Sequence, residues 1–415
     1  MSDLTLSADQ QRAYEAFCQL VQDPMQTVLV IEGYAGTGKS TLINKCVQDL
    51  PKLIKTMRLL QIKAPAYQLY LTATTNKAVD TLRGIVGMEA QTIYSLLGLR
   101  MQTNYEDMSV RIALGRNARV VEDAVIFIDE ASLVNYDLLR YIFKQTRRCK
   151  LVFVGDPAQL IDHKTKAAPV FARDYPRVSL TEVVRQAAGS PVLELATAFR
   201  NTVSTGEFFQ FTPDNQHVFH MGRTDFDQAV IDEFTRPDWQ EAASRVLAWT
   251  NKRVIAYNKG IYKLVKGKTK FQPGDYAVCN RYVRNNAQCI KTDQMVCVSS
   301  IKPGRELGVS GYHVQVDHGN TVFFLPEDQE DRKKALKSAQ LKRDQSMARL
   351  VDETWVDLRA AYASTINKSQ GSTFDRVFID LDDLKRCNNG NQLARLLFVA
   401  VSRARNQVYF TGDLV

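Results

Sequence analysis

Residues 33–40 read GYAGTGKS, with Gly33, Gly36 and Gly38 set around Thr37 and ahead of Lys39, Ser40 and Thr41. An apolar run at 27–31 precedes them and a helix-forming stretch at 40–50 follows, the context a phosphate-binding loop requires. Glycines let backbone N–H groups curl around phosphoryl oxygens. The following helix turns its positive end to the same anion. Lys39 is placed to reach β- and γ-phosphoryl oxygens, and the Ser40 hydroxyl suits Mg²⁺. Such a loop needs an acidic partner, and the apolar run from Val125 to Ile128 ends in Asp129 and Glu130. Asp129 suits Mg²⁺ held through water, and Glu130 suits polarising an attacking water. Gln159, in GDPAQL at 155–160, has an amide suited to a γ-phosphate or that water; an ordinary turn at Asp156 and Pro157 accounts for the segment equally well. Charge that builds on a transferring phosphoryl group calls for arginine. Arg185 and Arg403 are the candidates, each also readable as a surface residue.

These residues need elements to hold them. The spacing of Ala13, Phe17, Leu20 and Val21 predicts an amphipathic helix over 5–22, with Ser7 and Gln10 as a capping box. Short apolar runs at 27–31, 69–72, 124–128 and 151–154 alternate with helical segments at 40–50 and 76–83. That alternation predicts a mainly parallel sheet covered on both faces. Residues 91–120 break the pattern with a polar, basic stretch that contains Tyr94 and Tyr105. A second α/β region starts near 180, with a strand at 246–250 and a helix at 252–264. Residues 270–326 carry short β-like stretches punctuated by glycine, and 327–350 form a charged helical stretch that includes Arg332, Lys333, Lys334, Lys337, Lys342 and Arg343. That stretch reads either as a solvated helix or as a nucleic-acid-facing arm. α/β signals return at 361–366, 377–379 and 392–401.

The chain has 415 residues, 45% of them apolar, enough for two or three cores. No run approaches the ~20 apolar residues of a spanning helix, so no membrane role is expected. Net charge is +9, from 54 basic and 45 acidic side chains, which suits a polyanionic partner. The seven cysteines are an odd number without a CxxC pair, which points to a reducing, cytoplasmic setting. Cys279, Cys289, Cys297 and His313 match no compact zinc spacing.

In order, the segments 33–40, 71–78 (LTATTNKA), 129–132 (DEAS), 155–160, 180–186 (LTEVVRQ), 248–252 (AWTNK), 364–371 (STINKSQG) and 398–405 (FVAVSRAR) resemble superfamily 1 DNA helicases of the RecD-like group. The resemblance spans nearly the whole chain. It implies an α/β fold of two RecA-like P-loop domains. The first comprises 1–90 and 121–180, with a small strand-separating β-hairpin insertion at 91–120. The second comprises 181–265 and 361–415, with an SH3-like β fold and basic helical arm inserted at 266–360. It implies ATP and Mg²⁺ as cofactors, and 5′→3′ translocation on single-stranded DNA with separation of fork DNA. It further implies action as a monomer, contacts with single-strand-binding or replisome proteins, work in replication or recombination, and, for a phage-encoded chain, the host cytoplasm.

Residue by residue, the resemblance makes Gln11 the adenine-reading glutamine, with Gln10 competing for the role. Lys39 and Ser40 become phosphate and magnesium contacts, Asp129 a magnesium ligand, Glu130 the catalytic base and Gln159 the γ-phosphate sensor. Arg185 and Arg403 become phosphate-contacting arginines. Thr72, Thr74, Asn76, Thr250, Asn251, Thr365 and Lys368 fall where relatives touch DNA or couple it to ATP. Apart from the resemblance, Tyr94, Tyr105, Trp249 and Trp355 are aromatics suited to stacking on bases, although Trp249 also fits a core position. Many relatives have histidine where this chain has Asn367, which hydrogen-bonds but carries no proton charge. Three rivals make different predictions. A P-loop switch or small-molecule kinase would turn over ATP regardless of single strands. A non-catalytic binder would have a decayed site, against the complete Lys39, Ser40, Asp129 and Glu130 set. An RNA helicase would share these motifs.

Overall fold

The computed structural model describes residues 6–34, 36–62, 66–103, 110–160, 168–182, 190–240, 243–285 and 288–414. The chain divides into one unit of residues 1–101, 112–210 and 389–402 and another of residues 102–111, 211–388 and 403–415.

The first unit is built on a six-stranded sheet in the order Arg177–Leu180, Val28–Gly33, Lys150–Gly155, Ala124–Asp129, Gln68–Ala73, Ala90–Thr92. Every pairing in it is parallel. Successive strand residues face opposite sides, so each apolar run feeds two cores. Leu29, Ile31, Val125, Phe127, Val152 and Val154 pack on one face with Phe17, Leu20, Ile43 and Cys46. Val30, Ile126, Ile128, Leu151 and Phe153 pack on the other with Ile93, Leu138 and Ile142. The Phe17 and Phe127 rings lie 5.5 Å apart, and each such buried side chain contributes about 1.5–3 kcal/mol.

Helix Ala8–Gln22 starts at Ser7 with the reciprocal Ser7 and Gln10 bonds of a capping box. The Asp9 carboxylate ties it to the end of the neighbouring edge strand, accepting from Thr181 N and Thr181 Oγ1, each at 2.6 Å, and from Glu182 N at 3.2 Å. Helix Lys39–Leu59 overruns the expected stop at 50, continuing through Pro51. Proline removes one helical hydrogen bond. The apolar stripe nevertheless continues through Leu53, Ile54 and Met57 into the same core, and that burial offsets the loss.

Expectations for 91–120 need adjusting at the start of the segment. Ile93, Leu96 and Leu97 are fully buried in the core of the first unit. The hairpin proper pairs Leu99–Thr103 with Val110–Leu114. Its base is closed by Gly115 N donating to Gly98 O at 2.8 Å. Gly98 has φ +63°, and a Cβ there would lie 2.5 Å from Asn117 O, so glycine is required. Tyr105 lies outside the described residues.

The second unit has a five-stranded parallel sheet in the order Val218–Met221, Ala404–Thr411, Phe374–Asp380, Ser244–Ala248, Ala363–Thr365. Phe226, Phe234, Val246, Tyr362 and Phe378 form its core. Between helix Asn251–Lys266 and strand Ala363–Thr365 the chain builds a separate antiparallel sheet in the order Phe323–Pro326, Val309–Val316, Met295–Glu306, Tyr276–Cys279, Leu358–Arg359. Helices Gln329–Leu341 and Gln345–Thr354 contribute Ala335, Leu336 and Val351 to a small core with Phe324 and Trp355. Trp355 is fully buried, and its indole N–H donates to Glu306 Oε1 at 3.1 Å. The base-stacking expectation for Trp355 is therefore overturned: its ring anchors this module. Of the basic residues expected on the arm, Lys333, Lys334, Lys337, Lys342 and Arg343 are exposed, while Arg332 folds back to Asp352 Oδ1 at 2.8 Å. No described helix is long and apolar enough to cross a membrane.

Candidate nucleotide site and nucleic-acid-facing residues

Strand Val28–Gly33 ends in the glycine loop, and helix Lys39–Leu59 begins at its far side. Gly36 and Gly38 have φ +87° and +76°, the left-handed region that lets a loop curl into a cradle. Gly38 is doubly constrained, because a Cβ there would lie 2.1 Å from Gln10 Nε2. Thr37 is buried and its hydroxyl donates to Tyr34 O at 2.9 Å. Lys39 Nζ donates to Gly33 O at 2.6 Å and Tyr34 O at 2.9 Å, which holds the ammonium over the loop. Ser40 and Thr41 occupy the first helical turn and are partly exposed.

Gln10 and Gln11 are separated by their faces. Gln10 is buried and its amide donates to Thr37 O at 3.2 Å and Gly38 O at 3.4 Å. Gln11 is exposed and donates to Glu15 Oε1 at 2.8 Å. The assignment to Gln11 is therefore corrected: Gln10 is the glutamine at the loop. The reason is helical geometry, since neighbouring helical residues point about 100° apart.

All strands of this sheet are parallel, so Gly33, Asp129 and Gly155 reach the same edge. Asp129 ends strand Ala124–Asp129, and Glu130 follows with φ +53°. Glu130 N donates to Asp129 Oδ1 at 2.9 Å, and Thr74 braces the turn through its hydroxyl, 3.2 Å from Glu130 O. Burial pushes the Asp129 carboxyl above its ordinary range, while the Glu130 N–H and the Lys39 charge draw it down. A hard cation suits Ser40 Oγ and the Asp129 carboxylate, both oxygen donors, and would relieve the cost of burying that carboxylate.

The segment after strand Lys150–Gly155 carries Asp156 and Gln159, both buried. Asp156 Oδ1 accepts from Ala158 N at 2.9 Å and lies 3.8 Å from Arg200 Nε. The Arg200 guanidinium also sits 4.5 Å from the centre of the Tyr34 ring in the glycine loop. Arg395, absent from the sequence-derived set, donates to Pro157 O at 2.6 Å and Gln159 O at 2.7 Å. Burial lowers its affinity for its proton, and the Asp156 charge opposes that. An arginine inside the apolar run of helix Gly390–Val401 was the available signal. Arg185 lies outside the described residues. Arg403 belongs to the second unit, where it is buried and donates to Ser372 O at 3.2 Å.

Of the residues expected to face nucleic acid, Thr72 is fully buried and gives its hydroxyl to Phe127 O at 2.7 Å. A phosphate contact by that side chain is therefore corrected to a structural one, since the strand turns it inward. Asn76 is exposed at the start of helix Asn76–Val86. Tyr94 is partly buried and packs against the core of the first unit. In the second unit Thr250 caps helix Asn251–Lys266, and its hydroxyl donates to Asp383 Oδ1 at 2.7 Å. Asp383 Oδ2 also accepts from Trp249 N at 2.8 Å and Thr250 N at 2.7 Å. Asp383 is a positioning residue that no local motif announced. Trp249 is partly exposed. Thr365 is buried and caps helix Ile366–Ser369, accepting from Lys368 N at 3.3 Å. Asn251 Oδ1 accepts from Arg359 at 2.9 Å, and Lys368 Nζ donates to Asn280 O at 3.0 Å and Asp293 Oδ1 at 2.9 Å.

The family model described as an AAA domain matches residues 5–222, and that of the UvrD-like helicase C-terminal domain matches 360–411. The ATP-dependent DNA helicase dda of Enterobacteria phage T4 is 25% identical over 461 residues, covering 98% of this chain and 99% of that one. The ATP-dependent RecD2 DNA helicase of Deinococcus radiodurans is 28% identical over 400 residues, covering 93% of this chain and 47% of its own. In fold, the chain is similar to the Pif1 helicase of Candida albicans, with TM-score 0.50, 17% identity, and coverage of 99% and 95%.

Proposed function

The chain belongs to the superfamily 1 helicases of the Pif1/RecD-like type, and from that premise we propose that it hydrolyses ATP to travel 5′→3′ along single-stranded DNA and part duplex strands ahead of it. The observation that carries this reading is that the strands leading into the Lys39 loop, into Asp129 and Glu130, and into the Gln159 segment all end at one edge of a parallel sheet. In this reading Lys39 and the loop N–H groups hold the phosphates, and Ser40 and Asp129 hold Mg²⁺, which neutralises phosphate charge when bound. Glu130 orients and deprotonates the attacking water. Gln159, whose carbonyl Arg395 holds, senses the γ-phosphate. Arg185 and Arg403 supply positive charge to the transferring group. The hairpin of Leu99–Thr103 and Val110–Leu114 separates the strands. The β-rich insertion, read as SH3-like, and its two helices support that work.

The deciding experiment compares displacement of 5′- and 3′-tailed DNA and RNA duplexes with and without ATP, beside ATP turnover with and without single strands. Displacement of 5′-tailed DNA alone, with turnover stimulated by the strand, is expected. Turnover indifferent to single strands would overturn the reading. Glu130→Gln is expected to bind ATP yet lose turnover by about 10²–10⁴-fold. Lys39→Ala should lose turnover by about 10²-fold or more while keeping much of its strand binding.

A further inference from the structure

The helicase reading places Lys368 in a segment that touches the strand or couples it to ATP, and the inference here rests on that reading, with the Lys368 ammonium taken as a contact for a strand phosphate. In the structure the Lys368 ammonium is already held by two oxygens from the inserted β-module, Asn280 O at 3.0 Å and Asp293 Oδ1 at 2.9 Å. Asp293 sits in the turn that enters strand Met295–Glu306, with φ +62°, a conformation aspartate tolerates better than most side chains. The turn is pinned: Asp293 N donates to Cys279 O at 2.8 Å, and Lys291 N donates to Gln294 Oε1 at 2.9 Å. The carboxylate is therefore presented to Lys368 by a fixed scaffold. Asn280, on the same module, is itself fastened to Asp357 by N to O at 2.7 Å and Nδ2 to Oδ2 at 2.9 Å. Asp357 in turn pairs with Arg359 at 2.7 Å, and Arg359 holds Asn251 Oδ1 at 2.9 Å. One continuous polar chain thus joins two of the residues expected to face the strand, Asn251 and Lys368, through the inserted module.

We propose that Asp293 is an internal stand-in for a strand phosphate: it occupies Lys368 in the unbound protein, and the incoming phosphate displaces it. Both side chains are partly exposed, 28% for Lys368 and 35% for Asp293, so a phosphate oxygen has access and the pair is weak enough to exchange. The competition is electrostatic. An anionic carboxylate lowers the local attraction for a polyanion and fills the donor that the polyanion needs.

The test measures binding of a fluorescent single-stranded oligonucleotide to the full chain across a salt series. Asp293→Asn is expected to tighten binding by about two- to fivefold at low salt. In a Lys368→Ala background, which itself binds more weakly, the same change should have no effect. Glu327→Gln removes an equal charge elsewhere on the module, where Glu327 pairs with Lys270, and should leave binding unchanged. Unchanged or weakened binding by Asp293→Asn would overturn the proposal, as would an equal gain in the Lys368→Ala background or from Glu327→Gln. Absence of single-strand binding by the unaltered chain would instead overturn the functional reading, and this inference with it.

Discussion

Gln10 is asked to do two things at once. Its side chain closes the capping box with Ser7, and its amide holds the carbonyls of Thr37 and Gly38. Gln10→Ala should therefore raise the KM for ATP by about three- to tenfold, the effect of one or two lost hydrogen bonds. It should also cost about 1 kcal/mol of stability through the cap. Gln11→Ala, on the exposed face, should change neither. Steady-state ATPase kinetics and thermal melts of the two variants check this. Asp9 carries a pH signature. Hydrogen bonds from the Thr181 side chain and backbone hold its carboxyl below the ordinary value of 3.8. A depressed folded value means the stabilisation is present above about pH 4 and fades as pH falls through the lower folded value. Asp9→Asn should lower the Tm at pH 7, and the gap to the unaltered chain should close in acid.

At the scale of elements, shortening the hairpin is expected to separate strand displacement from ATP turnover. Its base is closed by the Gly115 to Gly98 bond, while Leu99 and Ile112 pack into the core of the first unit. Shortening the hairpin while keeping those side chains should leave the fold intact. Displacement of tailed duplexes is expected to fall about tenfold or more, with strand-stimulated ATP turnover nearly unchanged. Equal loss of both would count against a strand-separating role. Helix Lys39–Leu59 shows why element ends are poorly legible. Pro51 is a local stop signal, but the apolar stripe on either side of it is buried in one core.

For the whole molecule, the excess of basic over acidic side chains, +9, predicts binding governed by phosphate contacts. The logarithm of single-strand affinity should fall linearly with the logarithm of salt, with a slope of about −2 to −4 for about three to six phosphate contacts. A flat response would mean that contacts other than phosphate hold the strand.

The sequence alone determined the phosphate loop, the acidic strand end ninety positions after Lys39, the parallel character of the first main sheet and the helicase family. These are legible because loop, strand and helix signals are local: glycine spacing and apolar periodicity act within a few residues of themselves. Only the tertiary structure decided between Gln10 and Gln11, buried Trp355, turned Thr72 inward, and recruited Arg395, Asp383 and Asp293. Each of these rests on a polar or packing partner tens to hundreds of positions away. Side-chain direction and a distant backbone carbonyl leave no periodic trace in the chain, so they emerge only when the elements meet.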